Sequence, residues 1–280
     1  MSIVHFPEYR AYEHDRINAS DAIMALLAGS RLAENMLRLT TGSTRLLPEI
    51  FPAVPHIKRM NLSTASAQSL LAEAEKHLSA MAVPYALAIH EDFVQTCFGL
   101  LIRSGQMTQA EADGAKAYSM HGIFERKVGH RLPQESMEQF HLIRKMRNAV
   151  IHAGGMPQPG LIASATSLSP NALSQWTKLT GGHPQVRISA GVPVSFSQGE
   201  LILALAVTKR ISQEMNYLLR DKLVRATWAD VALEDFDIEH AALKHVSQKK
   251  RKLPGFLNMN YRSLNLSQAE LNSAIQRAGW

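Results

Sequence analysis

A chain of 280 residues, 46% hydrophobic and 6% aromatic, carries enough apolar side chains for a sizeable core and too many for a disordered protein. Its formal net charge is +6, and the single cysteine, Cys97, excludes an internal disulfide framework. The amino terminus lacks the plan of a signal peptide, and the longest apolar run, residues 201–207, is far short of the about 20 residues that a membrane span takes. Together these readings point away from membranes and to a reducing, cytoplasmic compartment.

Aromatic residues are few while Leu, Ala, Ile and Met are plentiful, which favours helices. Residues 1–14 read as irregular. Asp15 to Thr40 reads as a long helix with Ile23, Leu26, Leu27, Leu32 and Leu37 on its apolar side and Gly42 as its stop. A Pro-rich connection follows (Pro48, Pro52, Pro55). Ser63 to Ala82 is a second helix, and Pro84 opens a third that runs to about Ser104 and carries the polar trio His90-Glu91-Asp92. Cys97 sits in its apolar pattern and reads as a buried thiol. Thr108-Gln-Ala-Glu111 is a capping box at the head of a fourth helix to Met120; Ile123 to Arg131 is a short fifth.

The sixth helix begins near Pro133 and ends at Gly154-Gly155. Between Met156 and Gly199, Pro, Ser and Gly rise and helical periodicity fades. Gln185-Val-Arg-Ile-Ser and Val192-Pro-Val-Ser-Phe-Ser predict a short β-hairpin around Ala190-Gly191. Helices are expected again from Ser197 to about Leu223, from Asp235 to Ser247 and from Ser267 to Ala278. The chain divides into an N-terminal helical extension (1–58), a central helical domain (59–225) and a basic C-terminal extension (226–280).

The most informative stretch is 140–155, Phe-His-Leu-Ile-Arg-Lys-Met-Arg-Asn-Ala-Val-Ile-His-Ala-Gly-Gly. At about 100° per residue, Leu142, Ile143, Met146, Ala149, Val150 and Ala153 share one arc, the core face. His141, Arg144, Lys145, Asn148 and His152 lie opposite. Arg147 stands at the border between Phe140 and Ile151, a place for a semi-buried seam. Residues five apart diverge by about 140° on a straight helix, so Arg147 and His152 do not point the same way, whereas Asn148 and His152, four apart, do. Either the helix loosens before Gly154, or two copies pack about a two-fold axis so that both chains line one groove.

These residue types suit metal-free RNA cleavage. RNA supplies its own nucleophile, the 2′-OH. Cleavage then needs a base for that proton, an acid for the leaving 5′-oxygen, and a cation for the phosphate oxygens. His titrates near neutrality and serves as acid or base, and a helix C-terminus favours its protonated form. Arg presents a planar fork to phosphate. Asn148 is placed to orient the imidazole or the RNA.

Leu142-Ile-Arg-Lys-Met-Arg-Asn-Ala-Val-Ile-His152 resembles the signature of the HEPN superfamily, Arg-x(4–6)-His with a polar residue after the Arg. The resemblance covers residues 60–225. It implies an antiparallel helical bundle, here with the short β-hairpin as an insertion and a basic C-terminal helical extension. It further implies a homodimer whose two motifs form one cleft, and metal-independent ribonuclease activity of the toxin–antitoxin or antiviral kind, with an antitoxin or other defence protein as a partner. Non-catalytic RNA- or protein-binding modules also belong to the superfamily. Glu91-Asp92-Phe93 is similar to a Glu-x-Phe element of some members, in which Glu91 would hold Arg147. The expected catalytic set is Arg147, His152, Asn148 and Glu91.

The segment from His240 to Arg262 holds six Lys or Arg and no acidic residue, which matches the whole charge excess. It reads either as an anionic-partner surface or as a solvated tail. Arg144 and the run Lys249, Lys250, Arg251, Lys252 are the candidate RNA contacts. No His-Glu-x-x-His, Cys-x-x-Cys, Walker A, Gly-x-Gly-x-x-Gly or Gly-x-Ser-x-Gly occurs, so neither a metal nor a cofactor is expected.

Overall fold

The computed structural model of this chain describes residues 3–280, and among them the regular structure is helical throughout. The α-helices, in order, are α1 Pro7–Arg38, α2 Leu47–Ile50, α3 Thr64–Ala72, α4 Ala74–Arg103, α5 Gln109–Asp113, α6 Met120–Val128 and α7 Gln134–His152. There follow α8 Pro159–Thr166, α9 Pro170–Thr180, α10 Pro184–Arg187, α11 Gln198–Lys222, α12 Arg225–Glu239, α13 Val246–Asn260 and α14 Gln268–Arg277. One antiparallel bridge, Leu46 with Ser63, is the nearest approach to a sheet among the described residues. Among the described residues no helix is long and apolar enough to cross a membrane.

Local chemistry sets many helix ends. Ser63, Thr108, Ser169 and Ser267 each accept a backbone N–H three residues on, which satisfies a donor the first turn would otherwise leave open. Glu111 and Glu270 complete capping boxes by accepting the backbone N–H of Thr108 and Ser267. Gly129 and Gly181 end α6 and α9 in the left-handed conformation.

Several expectations are corrected. The chain is helical from Pro7, not Asp15: Phe6, Tyr9 and Tyr12, three residues apart, are all buried and so share one face. Pro84 does not open a helix but lies inside α4, which starts after a break at Glu73. Proline removes one ladder hydrogen bond, yet Ala82, Val83, Ala86 and Leu87 around it are all buried, and that burial holds the helix through it. The fourth helix stops at Asp113.

The expected β-hairpin is absent. Pro184 fixes a φ suited to a first helical turn, His183 accepts the Gln185 N–H, and residues 184–187 coil into α10. Pro193 has no N–H to give a ladder, and the Val194 N–H goes to the Gly155 carbonyl at 2.9 Å, so the second half never finds a hairpin partner.

The chain forms two compact units, each drawn from separate stretches of sequence: Met1–Arg16 with Leu87–His141 and Ala206–Trp280, and Ile17–Ala86 with Leu142–Leu205. In the first unit an aromatic cluster forms the core. Phe6 meets Trp228 at 5.6 Å between centroids, and Tyr12 stacks on Phe93 at 4.5 Å. The Asn216 carboxamide pairs with both the N–H and the carbonyl of Val4, each at 2.9 Å, like one rung of a sheet. Asp235, 3% exposed, accepts two bonds from Arg10 (2.9 and 2.7 Å) and one from the Tyr261 hydroxyl (2.6 Å).

The same unit buries a histidine pair. His90 and His121 stack with Nε2 atoms 2.8 Å apart, and His90 Nδ1 shares a hydrogen bond with Ser212 Oγ at 2.9 Å. Burial pushes the His90 pKa down to about 3, so His90 is neutral at pH 7. Cys97 is fully buried, and burial raises its pKa well above the usual thiol range, which makes it an inert core residue.

In the second unit α9 and α11 meet backbone to backbone: a Cβ on Gly199 would lie 2.6 Å from Thr180 Cα. The buried Glu200 accepts the Ser197 N–H at 2.9 Å and its hydroxyl at 2.5 Å, and pairs with Arg187. One charge thus caps α11 and ties α10 to it.

Candidate functional site

The motif helix, α7, is regular to its end. The Ala153 N–H still reaches the Ala149 carbonyl four residues back at 3.0 Å, so nothing loosens before His152. The helix then stops abruptly. Gly154 (φ +57) and Gly155 (φ +84) are both left-handed, and the Gly155 N–H folds back to the Ala149 carbonyl at 2.9 Å. A Cβ at Gly155 would stand 3.0 Å from the Val194 carbonyl oxygen, so the reversal is packed tightly against residues 193–194.

Burial follows the wheel. Leu142, Ile143, Met146 and Ala149 are buried, as expected for the core face. Phe140, assigned to the border, is fully buried instead. Arg144 and Arg147 are half-buried, Ile151 is 49% exposed, and the three lie at i, i+3 and i+7 along one stripe.

His152 is exposed and lies on a different side, with Asn148 and Lys145. These three line an open cavity of about 320 Å³ whose floor is Ala149, Ala153 and Leu161 and whose far wall is Gln158 and Gly160, at the head of α8. Lys145 closes one end: its Nζ donates to the Gly160 carbonyl at 3.0 Å and to Ser164 Oγ at 2.5 Å. That clamp fixes α8 against α7, and Ser164 returns a bond to the same carbonyl at 3.0 Å.

The structure therefore brings together His152 and Asn148, together with Lys145, which the sequence reading left on a solvated face. Gln158, the N-cap residue of α8, was missed altogether. Its one signal was its place before Pro159, a favoured first helical residue. Arg147 does not line this cavity: with α7 straight, about 140° separates it from His152. Glu91 lies on α4, half-buried, in the first compact unit, whereas Arg147 and His152 belong to the second.

The basic run falls within α13, so it is helical rather than a tail. Lys249 is engaged there, with its Nζ 2.5 Å from Asp237 Oδ1 and 4.6 Å from the centre of the Trp280 ring. Lys250, Arg251 and Lys252 are exposed. Among the described residues no group of His, Cys, Asp and Glu is arranged to hold a metal ion.

No protein-family profile, curated protein or solved structure matches this chain. The functional reading therefore rests on the residues and their geometry.

Proposed function

We propose that this chain is a HEPN-type endoribonuclease that works without a metal, as a cytoplasmic homodimer in a toxin–antitoxin or antiviral system. The observation that carries the reading is the end of α7. An exposed His152 stands one turn beyond Asn148 on the rim of an open cavity, and Arg147 sits on a separate, half-buried stripe beside the exposed Ile151. Within one straight helix the imidazole and the guanidinium diverge, so a groove that uses both draws on two copies of the helix.

In that groove His152 takes the proton of the ribose 2′-OH, or delivers one to the departing 5′-oxygen. Arg147 neutralises the charge on the phosphate oxygens, and Asn148 orients the imidazole or the RNA. The 2′-oxygen forms a bond to phosphorus as the bond to the 5′-oxygen breaks, leaving a 2′,3′-cyclic phosphate and a 5′-OH. Arg144 and the exposed cations of α13 bind the RNA backbone, where their effect is salt-sensitive and independent of sequence.

The test is cleavage of RNA in EDTA by the wild type, His152→Ala and Arg147→Ala, with end-group analysis of the products. Loss of at least 100-fold in both variants is expected for an acid–base group and a phosphate cation (about 10²–10⁴-fold each). Unchanged rates in both overturn the assignment.

A second reading has an observation of its own. The cavity floor at His152 is apolar (Ala149, Ala153, Leu161), and Lys145 is spent on clamping α8. Both favour a non-catalytic HEPN module that binds RNA or a protein partner. That reading predicts RNA retention or partner co-purification without cleavage products.

A further inference from the structure

We propose a second ligand site, outside the motif helix: a pocket for a nucleoside phosphate between the N-terminal segment and the turn after α13. A cavity of about 770 Å³ opens there, lined by His5, Arg220, Asn258, Asn260, Arg262 and Asn265. All of these belong to the first compact unit. Among the described residues no Asp or Glu lines it, so the cavity is cationic and rich in amides.

The cations differ in state. Arg220 is gripped by Asp221, through Nε at 2.6 Å and a terminal nitrogen at 3.0 Å, which fixes its fork but offsets part of its charge. The Arg262 side chain is exposed, and no described carboxylate lies within ion-pair distance of it. It is the un-neutralised charge of the pocket and the natural partner of a phosphate, which a guanidinium meets through two parallel hydrogen bonds.

The walls are preformed. The His5 N–H bonds the Asn260 carbonyl at 2.9 Å, and Ser263 Oγ donates to the Ile3 carbonyl at 3.1 Å. Arg225 holds the turn from behind, donating to the carbonyls of Leu264 (2.5 Å) and Asn265 (2.9 Å). Asn265 itself is left-handed (φ 47), a conformation that asparagine tolerates and most residues resist. A pocket whose backbone is tied on both sides loses little entropy on binding.

One buried group points to a ligand. Asn260 lines the cavity and is only 6% exposed, yet its carboxamide makes no hydrogen bond with any described residue. Its amide atoms stay accessible from the cavity, so a ligand seated there can replace water as their partner. Asn258 and Asn265 add two more carboxamides, each offering a donor and an acceptor side by side, the pattern that a nucleobase edge presents in return. A bare phosphate would leave most of the volume empty; a nucleotide matches a pocket in the usual range of about 300–1,000 Å³. This site is independent of the ribonuclease reading and stands whether or not the chain cuts RNA.

The experiment is isothermal titration of the full chain with inorganic phosphate, AMP, GMP, CMP and UMP, and with a short RNA carrying either a 5′-phosphate or a 5′-OH. The expected result is saturable binding of at least one mononucleotide at least tenfold tighter than phosphate. Arg262→Ala should weaken it at least tenfold and Arg262→Lys less, while Asn258→Ala should lower the preference for nucleotide over phosphate. Arg262 and Asn258 are exposed, and circular dichroism will verify that the variants fold. No saturable binding, or binding unchanged by Arg262→Ala, overturns the site. Tighter binding of the 5′-phosphorylated RNA than of any mononucleotide also overturns it, in favour of an RNA end.

Discussion

At the scale of single residues, the buried His90–His121 pair makes a prediction independent of function. The His90 pKa, about 3 in the fold, lies below the unfolded value of 6.5 because burial penalises the imidazolium. Between those values the unfolded chain binds the extra proton and the folded chain does not, so stability is full above about pH 6.5 and falls as the pH falls towards 3. A single such proton gives a slope of up to about 1.4 kcal/mol per pH unit. Urea unfolding measured at pH 7 and pH 5 checks this; equal stabilities would contradict it. Asp235 supplies a second prediction. Asp235→Ala leaves Arg10 and the buried Tyr261 hydroxyl without their shared acceptor. Breaking a buried pair costs about 3–5 kcal/mol, and the lower end applies because about a third of the Arg10 side chain stays in water. Chemical denaturation of the variant reads that loss directly.

Among the elements, the end of α7 matters most, because it decides where His152 points. Gly154 and Gly155 both take positive φ, but only Gly155 has a close neighbour, the Val194 carbonyl. Gly154→Ala is expected to cost about 1 kcal/mol for the left-handed backbone alone. Gly155→Ala should cost clearly more, since the added methyl also pushes against residues 193–194. If the two variants unfold at the same urea concentration, the packing at Gly155 does not contribute. The Gly-Gly pair was legible as a helix stop from sequence. Its contact with Pro193 and Val194 was not, because a tight approach between segments nearly 40 residues apart leaves no local pattern.

For the molecule as a whole, the central question is whether one chain or two make the site. The straightness of α7 keeps Arg147 and His152 on different sides, so the proposed nuclease predicts complementation between chains. Arg147→Ala and His152→Ala, each inactive alone, should recover activity when unfolded together and refolded, since a mixed dimer offers one intact Arg147 and one intact His152. The specific activity of the wild type should also fall on dilution through the dimer dissociation constant. Continued inactivity of the mixture beside a demonstrated heterodimer would show that both groups must come from the same chain.

Helical class, the core face of α7, the capping box at Thr108 and the burial of Cys97 were all determined by the sequence itself, because each depends on neighbours three or four residues away or on the cost of exposing an apolar side chain. The tertiary structure alone decided what depends on distant partners. It carried α4 through Pro84 by burial on both sides of the ring. It turned residues 184–187 into a helix and sent the Val194 N–H to Gly155 instead of to a hairpin strand. It recruited Lys145 to clamp α8, and it placed His152 and Asn148, but not Arg147, around one cavity. Periodicity reports which face a residue occupies; only the fold decides what that face meets.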